Sequence, residues 1–541
     1  MEIKRLAAQD QRIPPIAGQR PKSHFLPAAS KALVTLFVIV ILAVIGLRLF
    51  FTLPDREGLE SSSAITASAE TRLGATILPL MARHPGLSGV APLVDGRDAL
   101  AARVLLARRA EASIDAQYYI WQTDTTGWLL LDEYRAAAER GVRVRLLLDD
   151  NGISGLDEVL VTLDAHPYIE VRIFNPFTLR RPRLLSYAFD LPRLNHRMHN
   201  KSMTVDGAAT ILGGRNIGDI YFAYGEDTTY FDLDVLGIGP IASDVATDFD
   251  RYWASASAYP VDLLLSRSGK GGEKLVTAVA AARENVLGSV YLAAITSAPL
   301  ISQVIAGEDV LEWTSVKLVS DSPAKGLGQA EQEEFLIGRL KELLTDVDGR
   351  IDLVSAYLIP GSDLTERLAA LAQAGQRVRL MTNSLEATDQ PIVHSAWRKY
   401  RAELVDAGVD VLELRAQPDR KGIETGTHIL MGSLSSLHAK TFALDDARIF
   451  IGSFNFDPRS AALNTEMGVL IKSPAMASAL SAVLDRRDMV YALQRGSDGS
   501  LEWLEEKHTG EVIVHRVEPH TTRWTRGLIW VLSWLPIEWL L

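Results

Sequence analysis

The chain has 541 residues, 47% hydrophobic and 23% charged, with a formal net charge of −11. That composition excludes a disordered or collagen-like polymer, and the acidic balance argues against an extended nucleic-acid surface. There is no cysteine, which excludes disulfide frameworks, thiolate metal sites and cysteine nucleophiles, while 11 histidines leave imidazole chemistry open.

Residues 1–31 are polar and basic, with six Lys/Arg (Lys4, Arg5, Arg12, Arg20, Lys22, Lys31) against Glu2 and Asp10. An apolar run opens at Ala32 and meets no charge until Arg48. With the LFFTL that follows, the stretch 32–53 has the length a bilayer core requires. It reads as a transmembrane helix with Arg48 snorkelling from one end. The competing reading is a cleaved leader ending near Ala67-Ser68-Ala69, but the basic region is long and the apolar run overlong for one. Basic residues ahead of the span favour a cytoplasmic N-terminus and a body on the far side. Residues 54–95 read as linker and lead-in.

The body repeats itself. SIDAQYYIW followed by LLLDEYRAAAERGVRVRLLLDD (Ser113–Asp150) matches RIDLVSAYLIP followed by LTERLAALAQAGQRVRLMTNS (Arg350–Ser384). Each copy predicts a strand, a helix ended by glycine (Gly141, Gly375) and a second strand. Such units build an α/β fold of mixed sheets flanked by helices. The predicted organisation is a first domain over 96–265, a connecting segment over 266–345, a second domain over 346–490 and a C-terminal segment over 491–541. The alternating Arg143/Arg145 and Arg377/Arg379 are expected on a solvated strand face.

Each copy then carries the same motif. HNKSMTVDGAATILGGRN holds His199, Lys201, Asp206, Gly213, Gly214 and Asn216. HAKTFALDDARIFIGSFN holds His438, Lys440, Asp445, Gly452, Ser453 and Asn455. On a strand, residues i and i+2 face the same way, so each histidine projects beside its lysine. Glycine at the end of the returning strand permits close backbone approach. Two imidazoles, two ammonium groups and two amides suit a phosphate diester: nucleophile, proton donor and oxygen ligands.

Other residues are weaker candidates. His196, three before His199, could pair with it in a metal site only on a helix, and no metal is expected. His428 and His84 read as loop histidines. Arg215 and Arg459, beside the motif asparagines, are candidates for anion support or for ion pairs. Tyr118, Tyr119 and Trp121 read as core or cleft lining. RWTRGLIWVLSWLPIEWLL (Arg523–Leu541) holds four of the ten tryptophans, Trp524, Trp530, Trp534 and Trp539. Interrupted by Pro536 and Glu538, it reads as an interfacial anchor rather than a span.

The paired motifs resemble the phospholipase D superfamily over about residues 95–490. The resemblance implies two pseudo-twofold-related domains sharing one active site, a phosphohistidine intermediate, and neither metal nor cofactor. It implies that one of His199 and His438 attacks phosphorus, with His199 favoured, while the other moves the proton. Lys201, Lys440, Asn216 and Asn455 would hold the phosphoryl oxygens, and Asp206, Asp445, Gly213, Gly214, Gly452 and Ser453 would be structural. Glu466 matches the family's acidic partner of a histidine. In the first copy Asp234 fits best, with Asp232, Asp227 and Glu226 as competitors.

Three phrases, AQYYIWQTDTTGWLLLDEYRAAAERGVRVRLLLDDNG, RMHNKSMTVDGAATILGGRNIGDIYF and SFNFDPRSAALNTEMGVLI, are similar to a bacterial class C-type cardiolipin synthase subgroup. That implies transphosphatidylation in the bacterial inner membrane, with the catalytic body on the periplasmic side. The partners would be membrane phospholipids (phosphatidylglycerol, with phosphatidylethanolamine as a second donor candidate), not nucleic acid. A helper protein stays open. The alternatives are a phospholipase D hydrolase releasing phosphatidic acid, a nuclease and a non-catalytic scaffold.

Overall fold

The computed structural model describes residues 28–58, 61–222, 230–266, 269–345, 347–416, 436–535 and 538. His428, Trp539, Asp227 and Glu226 lie outside them. The chain divides into two units, 1–52 and 53–541.

The first unit is a helix, Ala28–Phe50, whose Leu, Val, Ile and Phe side chains are exposed nearly all round. Its Ser30–Phe50 stretch has a mean hydropathy of 2.8, enough in length and composition to cross a membrane.

In the second unit, the described strands form two large sheets and one small one. Edge to edge, the first sheet runs Glu312–Thr314, Ser88–Leu93, Asp234–Ile238, Ala209–Gly213, Ser202–Val205, Ser113–Ile120, Arg143–Gly152, Ile169–Phe174 and Ala258–Pro260. The second runs Val316–Ser320, Met467–Ile471, Arg448–Gly452, Lys440–Leu444, Arg350–Ser355, Arg377–Asn383, Asp410–Leu414, Val490–Arg495, Leu501–Glu506 and Val512–His515. The lead-in is therefore not only linker: Ser88–Leu93 is an interior strand of the first sheet. Likewise the connecting segment gives one strand to each sheet, Glu312–Thr314 and Val316–Ser320, and 490–515 widens the second sheet rather than trailing from it.

Both repeats fold as strand, helix and parallel strand. Ser113–Ile120 pairs in parallel with Arg143–Gly152, and Arg350–Ser355 with Arg377–Asn383. The linking helices are Thr125–Glu139 and Gly361–Gln373; Gly141 and Gly375 follow them at φ 91° and 92°, backbone that glycine adopts without strain. One expectation fails here. Arg145 and Arg379 are not solvated but fully buried, paired with Asp115 (2.7 Å) and Asp352 (2.6 Å) on the neighbouring strand. A parallel neighbour with an aspartate in register turns an alternating arginine into an interior ion pair. Arg377, at the strand's start, stays exposed.

The two sheets share a core. Val90, Leu212 and Val235 of the first sheet join Ile449, Ile451 and Val469 of the second in one buried cluster, with Ile241 and Met476 from the helices Pro240–Trp253 and Pro474–Leu484. Burial of that much aliphatic surface fuses the halves and puts the motif-bearing strand ends against each other.

Candidate active site

The motif strands are braced by their aspartates. The Asp206 carboxylate accepts the backbone N–H groups of Ala112 (2.8 Å) and Ser113 (3.0 Å); Asp445 accepts that of Gly349 (2.9 Å). Each aspartate, in left-handed backbone (φ 51° and 56°), thus ties the motif turn to the start of the strand that opens its repeat. This is a scaffolding task, away from the histidines.

His199, Lys201, Asn216, His438, Lys440 and Asn455 are all buried where the halves meet. Short cross-half ladders hold them there. The His199 N–H donates to the Thr465 carbonyl (2.9 Å), and the His438 N–H to that of Phe231 (2.7 Å). Ser436–Leu437 pairs in parallel with Tyr230–Phe231 from the other half.

The acidic partners are exchanged between halves. His199 Nδ1 donates to Glu466 Oε2 (2.8 Å), and His438 Nδ1 to Asp232 Oδ2 (2.6 Å). Asp234 is therefore not the histidine's partner. Its carboxylate pairs with the buried Arg103 (2.9 Å) and accepts the Arg215 N–H (3.1 Å). Strand register gives the reason. Gly213 lies opposite Asp234 and Gly452 opposite Gly468, so the residue matching Glu466, two before, is Asp232. Gly214 is the accompanying signal: a Cβ there would lie 2.0 Å from Asp232 Oδ1. Its counterpart Ser453 instead donates to Glu466 (2.5 Å), whose other oxygen accepts from Ser460 Oγ (2.8 Å).

With each Nδ1 committed, Nε2 is the reactive nitrogen on both rings. The two rings differ electrostatically. Burial, reinforced by the charges of Lys201, Lys440 and His438, pushes the His199 pKa well below the ordinary value. Burial and Lys440 also lower that of His438, but Asp232 opposes them. Burial disfavours the Asp232 charge too, yet His438, Lys440 and Arg215 outweigh it and hold that carboxyl below the usual range. Glu466 moves the other way, raised by burial. Burial lowers Lys201 to about 7.

The motif lysines each donate to the carbonyl of their own histidine, and Lys440 Nζ lies 3.0 Å from His438 Nδ1. Asn216 is partly committed: Oδ1 accepts the Ile120 N–H (3.1 Å) and Nδ2 donates to the Tyr221 hydroxyl (3.1 Å). Asn455 Oδ1 has no partner among the described residues.

Of an aromatic wall at the site, sequence reasoning offered Tyr119 as core or cleft lining and missed Tyr230 and Tyr357. Tyr119 packs edge-on against His199 (5.0 Å), Tyr230 stacks on His438 (4.9 Å), and Tyr357 sits near Lys440 (5.9 Å). The Tyr230 and Tyr357 hydroxyls both donate to Asp389 (2.9 and 2.8 Å). Tyr118 and Trp121 are core. Also missed was a brace behind Glu466, whose N–H donates to Asp321 (2.9 Å), itself paired with Lys325 (2.9 Å). Neither carries a spacing signal, because each joins residues from separate segments of the chain, as with Tyr230 and Asp389 or Asp321 and Glu466. Arg215 is buried on the carbonyls of Leu93 (2.8 Å), Val94 (2.5 Å) and Asp232 (2.6 Å), and Arg459 bonds Asn195 (2.8 Å); both hold structure. His196 bonds the Pro192 carbonyl (2.8 Å) and His84 faces Asp309 (3.2 Å). Among the described residues there is no cluster of His, Asp and Glu suited to a metal ion.

Neither half could present a histidine with its acid alone, and this interdependence defines a duplicated, single-chain histidine–lysine fold built for phosphodiesters. More narrowly, the chain belongs to the family described as "Cardiolipin synthase, PLD-like domain", which matches it twice, at residues 105–253 and 340–487. It is 43% identical over 472 residues to cardiolipin synthase C of Escherichia coli (strain K12), covering 87% of this chain and all of that protein. It is 35% identical to an uncharacterized protein of Helicobacter pylori (strain J99 / ATCC 700824), over 75% of this chain and 80% of the relative. Among solved structures, phosphatidylserine synthase from Haemophilus influenzae Rd KW20 shares the fold (TM-score 0.54, 14% identity), covering 86% of this chain and all of that one.

Proposed function

We propose that this protein is a membrane-anchored phospholipid phosphatidyltransferase that makes cardiolipin by transphosphatidylation. The observation that carries the reading is the exchanged histidine–acid pairing within a chain 43% identical to a cardiolipin synthase along that relative's whole length. His199 is the nucleophile, because the more strongly depressed imidazole stays neutral and keeps its Nε2 lone pair. His438, whose protonated form Asp232 favours, is the general acid.

In the first step His199 Nε2 attacks phosphorus of the donor lipid. The bond from phosphorus to the headgroup oxygen breaks, and His438 supplies the proton to that oxygen. In the second step His438 takes the proton from a hydroxyl of phosphatidylglycerol. That oxygen attacks the phosphohistidine, the N–P bond breaks and cardiolipin leaves. Lys201, Lys440 and the amides of Asn216 and Asn455 stabilise the charge that develops on the phosphoryl oxygens. The donor is a second phosphatidylglycerol or phosphatidylethanolamine, with glycerol or ethanolamine released. The body works at the periplasmic face of the bacterial inner membrane, held by the Ala28–Phe50 helix. The C-terminal helix Arg523–Leu532 serves as an interfacial anchor, with Trp524 90% exposed and Trp530 half exposed.

The test uses full-length protein in vesicles of phosphatidylglycerol with ³²P-labelled donor, comparing wild type, H199A and H438A. Cardiolipin from the wild type alone, with an acid-labile phosphoenzyme that H199A cannot form, is the expected result. Phosphatidic acid without cardiolipin would make the protein a hydrolase instead.

A further inference from the structure

The helix Leu184–Leu194, kinked at Asp190, belongs to the His199 half of the chain; its outer side is apolar, while Ser186 and Asp190 are buried along with the apolar residues of its inner side. Phe189 and Leu194 are buried beneath it, while Leu184, Leu185, Ala188, Leu191 and Pro192 form the outer face. Leu184 is 80% exposed and Leu185 50%. The outer face of a surface helix ordinarily carries charge; contiguous apolar side chains rimmed by polar ones mark an interaction surface.

The rim is cationic. Arg180, Arg181, Arg183 and Lys274 line a cavity of about 500 Å³ at the start of this helix, together with Asp157 and Glu158. Arg180 and Arg183 are paired with Asp157 (2.5 and 2.6 Å), and Arg180 also meets the buried Asp150. Counting those three acids, the cluster keeps an excess positive charge, and Arg181 is exposed.

Two hydrogen bonds connect this helix to the reacting histidine. The Tyr187 hydroxyl donates to Asn151 Oδ1 (3.1 Å), Asn151 Nδ2 donates to the Tyr119 hydroxyl (3.1 Å), and the Tyr119 ring packs on His199. The helix that carries the exposed leucines is therefore joined, through Tyr187, to the residues packed on His199.

We propose that this helix and the cavity at its start form a docking lip that seats on a bilayer containing anionic phospholipid. The leucines enter the boundary between headgroups and acyl chains, and the arginine-lined cavity takes headgroup phosphate. The choice of a bilayer as occupant rests on the phospholipid reading above and on this charge complementarity. Docked in this way, a lipid reaches His199 from the membrane plane without leaving it.

The chain has no cysteine, so one introduced thiol can be labelled uniquely. Full-length L185C carrying an environment-sensitive fluorophore is reconstituted into phosphatidylcholine vesicles with and without phosphatidylglycerol. The exposed Glu366, on the Gly361–Gln373 helix, gives the control E366C. The expected result, in phosphatidylglycerol vesicles, is about threefold stronger quenching by lipid-borne nitroxide at 185 than at 366, with matching protection from iodide. R181E should lose that excess. The measurement needs no turnover, so the same pattern is expected on an H199A background whether or not the transferase reading stands. Equal iodide access at 185 and 366 would overturn the proposal. Equal nitroxide quenching with and without phosphatidylglycerol would overturn its anionic-lipid part. Protection that rises with protein concentration without nitroxide quenching would assign the face to a second copy of the chain, and also overturn it.

Discussion

Asp232 and Asp234 sit two residues apart on the same stretch, and the structure gives them opposite tasks, so their amide variants separate sharply. D232N keeps the shape but removes the carboxylate that accepts from His438 Nδ1 at 2.6 Å. A charge-assisted bond of this kind contributes about 1.5–3 kcal/mol, and a histidine held in the wrong tautomer can cost up to about 10⁴ in turnover. The expected loss in kcat is therefore about 10²- to 10⁴-fold, with KM little changed. D234N instead breaks a fully buried pair with Arg103 at 2.9 Å. Removing one partner of such a pair destabilises by about 3–5 kcal/mol. Its expected signature is a lower Tm with kcat, per folded molecule, within about threefold of wild type. Cardiolipin formation by the full chain in vesicles, alongside thermal unfolding followed by circular dichroism, reads both. The reasoning is refuted if D234N abolishes turnover at an unchanged Tm while D232N turns over normally.

G214A would push its methyl group against Asp232, and a fall in kcat of about tenfold or more with a small Tm change is expected; normal turnover would mean that the carboxylate can move without cost. Lys201, with its pKa lowered to about 7, should give kcat/KM an alkaline limb near that pH as the ammonium is lost. The stability sign is opposite: between about 7 and the ordinary lysine value of about 10.4 the unfolded chain binds more protons, so this group's contribution to stability rises with pH. A pH series of initial rates and of unfolding midpoints tests both signs. R379M should lower the midpoint by taking from the buried Asp352 its bidentate partner and leaving it only Arg350 (3.1 Å), an effect of up to about 3–5 kcal/mol that R379M/D352L largely reverses; an unrecovered double variant would deny that the pair is the cause.

Much of this protein is legible from one chain. The N-terminal apolar helix, the duplicated strand–helix–strand units and both motifs follow from local periodicity and spacing, because an i, i+2 pattern fixes which side chains share a strand face. The bracing aspartates are legible as turn residues, but the strand starts they tie down, at Ala112, Ser113 and Gly349, lie far away in the chain and are settled only by the fold. What tertiary structure alone decided is everything that depends on register or on contact between distant segments. Shifting a strand by two residues keeps every side chain on its face, so Asp232 and Asp234 look alike in sequence; only the pairing of Gly213 with Asp234 separates them. The exchange of Glu466 and Asp232 between halves, the burial of Arg145 and Arg379, and the tyrosine wall around Asp389 arise where segments meet in space. No local spacing encodes them, because their energies come from desolvation and partners supplied by the rest of the fold.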